Sequence, residues 1–237
     1  METAKPKNGD YWIEGFPTYG AGLAELRRRG EQPKTIKEII EARVIAYENG
    51  DSDVRDRRLF NYDSDGLGAD PLSSCTALIS KERSTEFKLV LHSPHLLSLS
   101  ENFVGQSLRV AYDDVSGDVT LDSRDGKYNQ PLREGEPLDH PGWIEVVQDR
   151  RLLKAYHDIV FKGFHKKEAM PFYVLENTIF SVMEHLTVGG LNGMYDADDS
   201  RVSESMFHLN SYFLFGCPVR KAADQNAAQD LKRMHKS

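Results

Sequence analysis

A chain of 237 residues with 39 % hydrophobic, 28 % charged and 10 % aromatic residues has the composition of a globular protein and is long enough to build a core without disulfides or metals. Its formal net charge of −7 and isoelectric point near 5.6 oppose general nucleic-acid binding and attachment to anionic membranes, both of which need a basic surface. No run approaches the roughly 18–20 apolar residues of a membrane span. Residues 1–10 carry no apolar segment of a secretory signal, so a cytoplasmic protein is expected; Cys75 and Cys217 fit no CxxC pattern, and reduced thiols are expected with them.

Residues 11–19 are aromatic and interrupted by Gly15 and Pro17, which predicts a short strand or an extended arm. Residues 21–29 follow as a short helix: Leu23 and Leu26 share a face, three arginines fill the last turn, and Gly30 stands where a left-handed C-cap belongs. Thr35-Ile-Lys-Glu38 is a capping box and predicts a helix start. Ile36, Ile39, Ile40, Val44 and Tyr47 then fall on one stripe, expected to face a core. Residues 51–71, with six aspartates and three arginines, read as a long polar loop.

From Ser74 the pattern predicts a hairpin, with strands at 75–80 and 86–91 joined through polar 81–84. Residues 107–112, 118–122 and 127–128, punctuated by Asp114–Gly117 and Asp125-Gly126, suggest a β-meander. After a polar, proline-containing stretch at 131–141, Asp149 is placed to cap an amphipathic helix carrying Leu152, Leu153, Tyr156, Ile159 and Val160. Ile179, Val182, Met183 and Leu186 suggest another helix, beginning near Asn177 and ending at Gly189-Gly190. Even spacing of Phe207, Leu209, Phe213 and Phe215 predicts a late strand, and residues 222–237 a polar tail. The fold class expected is thus α+β, one domain over residues 1–237, with an antiparallel sheet in the middle of the chain and amphipathic helices packed on it.

Two groups of oxygen and nitrogen ligands are candidates for a divalent metal ion. Asn61, Asp63, Asp65 and Gly66 match the first half of a calcium loop, with Asp70 a further ligand, but Leu72 stands where the closing Glu belongs. The second group is His140, His157, Asp158 and Asp196. In order these four resemble the ligand pattern of the HD phosphohydrolases, a resemblance that implies a helical bundle holding metal ions for phosphate-ester hydrolysis. It spans four residues, and the composition alone supplies about one His-Asp pair. His92 and His95 form an HxxH pair, and His165 and His185 lie on or beside expected helices.

Gly20-Ala-Gly22 opens a helix as a dinucleotide loop does, but Glu25 occupies the third glycine position. Nucleophile-elbow, Walker A, HExxH and kinase signatures are absent from the sequence. Arg27 to Arg29, Arg55 with Arg57 and Arg58, and Lys166-Lys167 are basic clusters explained by helix ends or solvated faces. The reading this favours is a non-enzymatic binding or accessory protein with a protein or small-molecule partner; the alternative is a metal-dependent hydrolase built from the His and Asp residues above.

Overall fold

The computed structural model describes residues 11–16, 19–48, 72–92, 108–188, 202–204 and 212–218. The acidic loop at 51–71, Phe207 and Leu209 of the expected late strand, the tail at 222–237, His95 and Gly189-Gly190 lie outside them.

The chain order is β1 (Tyr11–Phe16), α1 (Tyr19–Arg28), β2 (Glu31–Pro33), α2 (Ile36–Glu48), β3 (Leu72–Ser80) and β4 (Glu86–Val90). There follow β5 (Leu108–Arg109), β6 (Val119–Asp122), β7 (Leu132–Arg133), α3 (Glu136–Asp139), α4 (Pro141–Val147) and α5 (Arg150–Asp158). The last elements are β8 (Glu168–Ala169), β9 (Val182–Val188), β10 (Val202–Glu204) and β11 (Tyr212–Pro218). Strands β1-β11-β3-β4-β6 lie side by side, with β9 also on β3. All pairings are antiparallel except β11 on β3. The α+β class is therefore observed, with a sheet in which an early strand lies beside a late one: Tyr11 pairs with Gly216.

The capping box forms as its residues dictate. The Thr35 amide donates to Glu38 Oε2 at 2.9 Å, and the Glu38 amide to Thr35 Oγ1 at 3.2 Å, satisfying two donors that a helix start otherwise leaves open. Ile36, Ile39, Ile40 and Val44 are buried. Tyr47 is not: it is 42 % exposed, because its ring packs sideways on Phe164 at 6.0 Å. A bulge in β3 between Ser73 and Ala77 ties α2 to the sheet. There Thr76 Oγ1 accepts from the Ile36 amide at 3.0 Å and donates to the Leu91 carbonyl at 3.0 Å.

Asp149 caps α5, accepting from the amides of Arg151 (2.8 Å) and Leu152 (3.1 Å). Leu153, Tyr156, Ile159 and Val160 are buried beneath it, and α5 passes into a π turn over Ile159–Gly163. α3 arises inside the polar stretch at 131–141, and α4 starts from its last residue. Pro141 begins it, and the His140 ring caps it by accepting from the Trp143 amide at 3.4 Å. Trp143 is fully buried and donates from Nε1 to the Met170 carbonyl at 2.7 Å.

Two expectations are corrected. Residues 182–188 form no helix but strand β9, hydrogen-bonded to β3 on one side and to β5 and β10 on the other. Met183, Glu184, His185 and Leu186 are all buried, so an interior strand covered on both faces mimics helical spacing. Asn177, the expected helix start, has φ 52°, and Ile179 and Phe180 before the strand are exposed. The meander is also absent: β5 joins β9, not β6, and residues 112–114 and 123–125 are 3₁₀ turns. Asp122 starts the second of these by accepting from the Arg124 amide at 2.9 Å, which diverts the chain before a hairpin at Asp125-Gly126 can close.

The helix-covered face of the sheet holds Leu78, Phe87, Leu89, Leu186 and Val188 against residues of α2, α4 and α5. The other face carries a smaller cluster of Ala77, Ile79, Val90, Tyr112 and Met183. The candidate site lies beside this second cluster.

Candidate functional site

The turn between β3 and β4 is built on Lys81, Glu82, Arg83 and Ser84, with Arg83 at φ 49°. It is bonded across to the segment entering β9. The Arg83 amide donates to the Thr178 carbonyl (2.8 Å), the Asn177 amide to the Ser84 carbonyl (3.1 Å), and the Glu82 amide to Ser181 Oγ (2.9 Å). From the other side the Val110 amide donates to the Ser181 carbonyl at 3.1 Å. Three chain segments are thereby fixed around an open cleft of about 540 Å³ lined by Lys81, Arg83, Arg109, Tyr112, Asp113 and Phe180, among others.

Tyr112 forms the floor. Its ring is buried, with Lys88 Nζ 3.9 Å and Lys81 Nζ 5.1 Å from the ring centre. Lys88 also donates to the Tyr112 and Val115 carbonyls (2.7 and 3.0 Å), and Lys81 pairs with Glu86 at 2.9 Å. The Tyr112 hydroxyl faces Glu86 and Thr120 without a hydrogen bond of good geometry. Burial, then Glu86, raises its pKa well above the usual phenol value, so it is a neutral floor and not a base. The Lys81 hydrogen bond, followed by Tyr112, lowers that of Glu86.

At the rim the Arg109 guanidinium lies 3.7 Å above the Phe180 ring. Arg109 is exposed, Phe180 is 39 % exposed and its neighbour Ile179 69 % exposed. A guanidinium stacked on a ring face keeps its in-plane N–H groups for a further partner.

The His and Asp residues singled out in the sequence have other surroundings. His157 is buried: Nε2 accepts from the Gly135 amide at 2.9 Å, Nδ1 is 3.1 Å from Asp158, and the ring stacks on Phe161 at 4.8 Å. Asp158 is held by Lys154 (2.6 Å) and Lys162 (2.9 Å), and Lys154 foremost drives its pKa well below the carboxylate range. His140 sits between Tyr128 and Phe172, with ring centres 4.5 and 5.8 Å away. Among the described residues no group of three or more His, Cys, Asp or Glu side chains is placed to hold a metal ion. Asp196, Asn61, Asp63, Asp65 and Asp70 lie outside them. Gly20 and Gly22 fall in the first turn of α1, and Glu25 pairs with Arg28 (2.7 Å) and Arg29 (2.6 Å).

No protein-family model and no curated protein matches the chain. A solved structure does, one described as the accommodation of massive sequence variation in Nanoarchaeota by the C-type lectin fold. The two agree with a TM-score of 0.57 at 12 % identity, over 90 % of this chain and 97 % of that one. The fold is similar to the C-type lectin fold. At this identity the likeness extends to the C-type lectin fold alone. In the described part of this C-type lectin fold no helix is long and apolar enough to cross a membrane.

The cleft went unread in the sequence because its parts are distant in the chain. The Lys81–Ser84 turn is legible as a turn, but nothing in the local pattern joins it to Arg109 or to Phe180, which falls within the helix expected from Ile179, Val182, Met183 and Leu186. The one signal in the sequence is the adjacent apolar pair Ile179-Phe180 just after the turn former Asn177.

Proposed function

We propose that the chain is a non-enzymatic binding protein whose recognition surface is the cleft between the β3–β4 turn, β5 and the entry to β9. The observation that carries this reading is the Arg109–Phe180 stack, an exposed cation–aromatic pair on a frame fixed by hydrogen bonds from three segments. Exposed aromatic and arginine side chains on rigid backbone are the usual anchors of recognition surfaces, because little order has to be gained on binding. The neighbour's fold, described as accommodating massive sequence variation, supports a division in which core residues hold the sheet and surface side chains select the partner. The partner is a protein segment or a small molecule.

The test is a fragment and short-peptide screen of the ¹⁵N-labelled chain by NMR. Binders are expected to shift the amides of residues 81–83, 109–113 and 180–181, to lose affinity in Phe180→Ala, and to be recovered chemically unchanged. Binders that map elsewhere, or that are turned over, overturn the proposal.

A further inference from the structure

We infer that the cleft takes an acidic peptide segment, in which a carboxylate meets Arg109 and a neighbouring apolar side chain covers Ile179 and Phe180. This rests on the binding reading above and names the ligand class for the same surface. Of the cations around the cleft, Lys81 is held by Glu86 and Lys88 by two backbone carbonyls. Arg83 and Arg109 remain for a ligand. The Arg83 side chain is 80 % exposed, and its contact with Glu82 is a 3.6 Å ion pair of the exposed kind that water and salt weaken. Arg109 has, among the described residues, the Phe180 ring as its contact, and a ring occupies none of its hydrogen-bonding edge. That edge is a planar fork that matches a carboxylate with two parallel N–H···O bonds.

The acidic groups lining the cleft are Glu82, engaged by Arg83, and Asp113. Counted with Lys88 and Glu86 beside the floor, Lys81, Arg83, Lys88 and Arg109 stand against Glu82, Glu86 and Asp113, which leaves one positive charge in excess in a chain of net charge −7. Charges beyond about 8 Å are screened at physiological salt, so the local excess governs a bound carboxylate. An extended segment also has somewhere to lie. β5 pairs with β9 on one edge and with no other described strand; the Val110 amide and the Ala111 carbonyl are taken by Ser181 and Asp114, so it is the Arg109 backbone, which lines the cleft, that a peptide can meet at this strand edge.

The test uses the full chain and two fluorescein-labelled decapeptides of alternating residues, one Glu-Leu and one Gln-Leu, with an oligouridine as a third probe. Anisotropy at 50 mM salt is expected to show the Glu-Leu peptide binding at least tenfold tighter than the other two. Binding should weaken tenfold or more in Arg109→Ala and between 50 and 300 mM salt, and several-fold in Arg83→Ala. Arg109 and Arg83 are exposed, and unchanged thermal unfolding of both variants would show that the loss is not one of folding. Equal binding of the two peptides, with loss in Phe180→Ala, overturns the acidic preference and leaves the binding cleft standing. Tighter binding of oligouridine overturns the peptide. No binding of either peptide at 1 mM overturns the acidic peptide and leaves the cleft to the fragment screen, whereas peptide binding indifferent to Arg109→Ala and Phe180→Ala alike overturns it by placing the peptide outside the cleft.

Discussion

His140 illustrates how one side chain carries both structure and pH sensitivity. Its Nδ1 caps α4, and its Nε2 is buried facing the Lys127 amide, without a hydrogen bond of good geometry. Burial lowers its pKa from 6.5 to about 4, and burial in β9 lowers that of His185 to about 3. Both are neutral in the folded state, while the unfolded chain takes up their protons near pH 6.5. Stability is therefore whole above that pH and falls as pH drops from 6.5 towards 4, by about 3 kcal/mol for His140 at about 1.4 kcal/mol per pKa unit. Glu25, held at about 2 by Arg28 and Arg29, acts with the same sign in a lower window, below the unfolded carboxylate value. Urea unfolding at successive pH values is expected to show a shallower slope between 6.5 and 4 in His140→Asn, which keeps a capping acceptor but not the proton site. An unchanged slope would clear His140 of the effect. Arg43, fully buried, makes a second residue-level case. Its Nη1 donates to Tyr156 Oη at 2.6 Å, and Tyr156→Phe is expected to lose about 1.5–3 kcal/mol, the range for hydrogen bonds to charged groups.

Among the elements, α2 was the most legible, since its start is fixed by chemistry within four residues and its buried stripe follows from the helical period. Ile40→Ala is expected to cost about 2–5 kcal/mol because the side chain is fully buried, and Thr35→Ala about 0.5–2 kcal/mol through loss of the cap; urea denaturation reads both. A loss below about 0.5 kcal/mol for Ile40→Ala would mean that α2 is peripheral. The Asp149 cap and the β3–β4 hairpin were legible for the same reason, each resting on neighbours in sequence. β9 was not, because a strand buried on both faces loses the alternation that identifies strands, and Val182, Met183 and Leu186 fall at helical spacing by coincidence. α4 was hidden by its proline: Pro141 closes a polar stretch, yet at the first helical position its missing N–H is no loss. The buried Arg43 and Trp143 carry no local mark at all, their partners Tyr156 and Met170 being set by tertiary packing.

On the scale of the molecule the sheet is assembled from strands far apart in sequence, which is why no local pattern announced its order. β11 pairs with β1, β2 and β3, so the first strands of the chain gain their place from nearly the last. β1 and β2 have, among the described strands, β11 as partner, and α1 contacts β1, β2 and β11. The other part of the sheet does not depend on it in this way: β3 is held by β4 and β9, and α2, α4 and α5 bury the helix-covered face. Truncation after residue 204 therefore removes the partner of 11–16 and 31–33 while leaving that core its own contacts. Native-state hydrogen exchange of the truncated chain is expected to show the amides of those two strands unprotected and those of residues 77–80 and 87–90 still slow. Opening in separate units of this kind follows where contacts between parts are few and within parts many. Uniform loss of protection from residue 11 to residue 188 would mean instead that β11 is needed to nucleate the whole sheet, as happens when distant pairings must close before any part is stable.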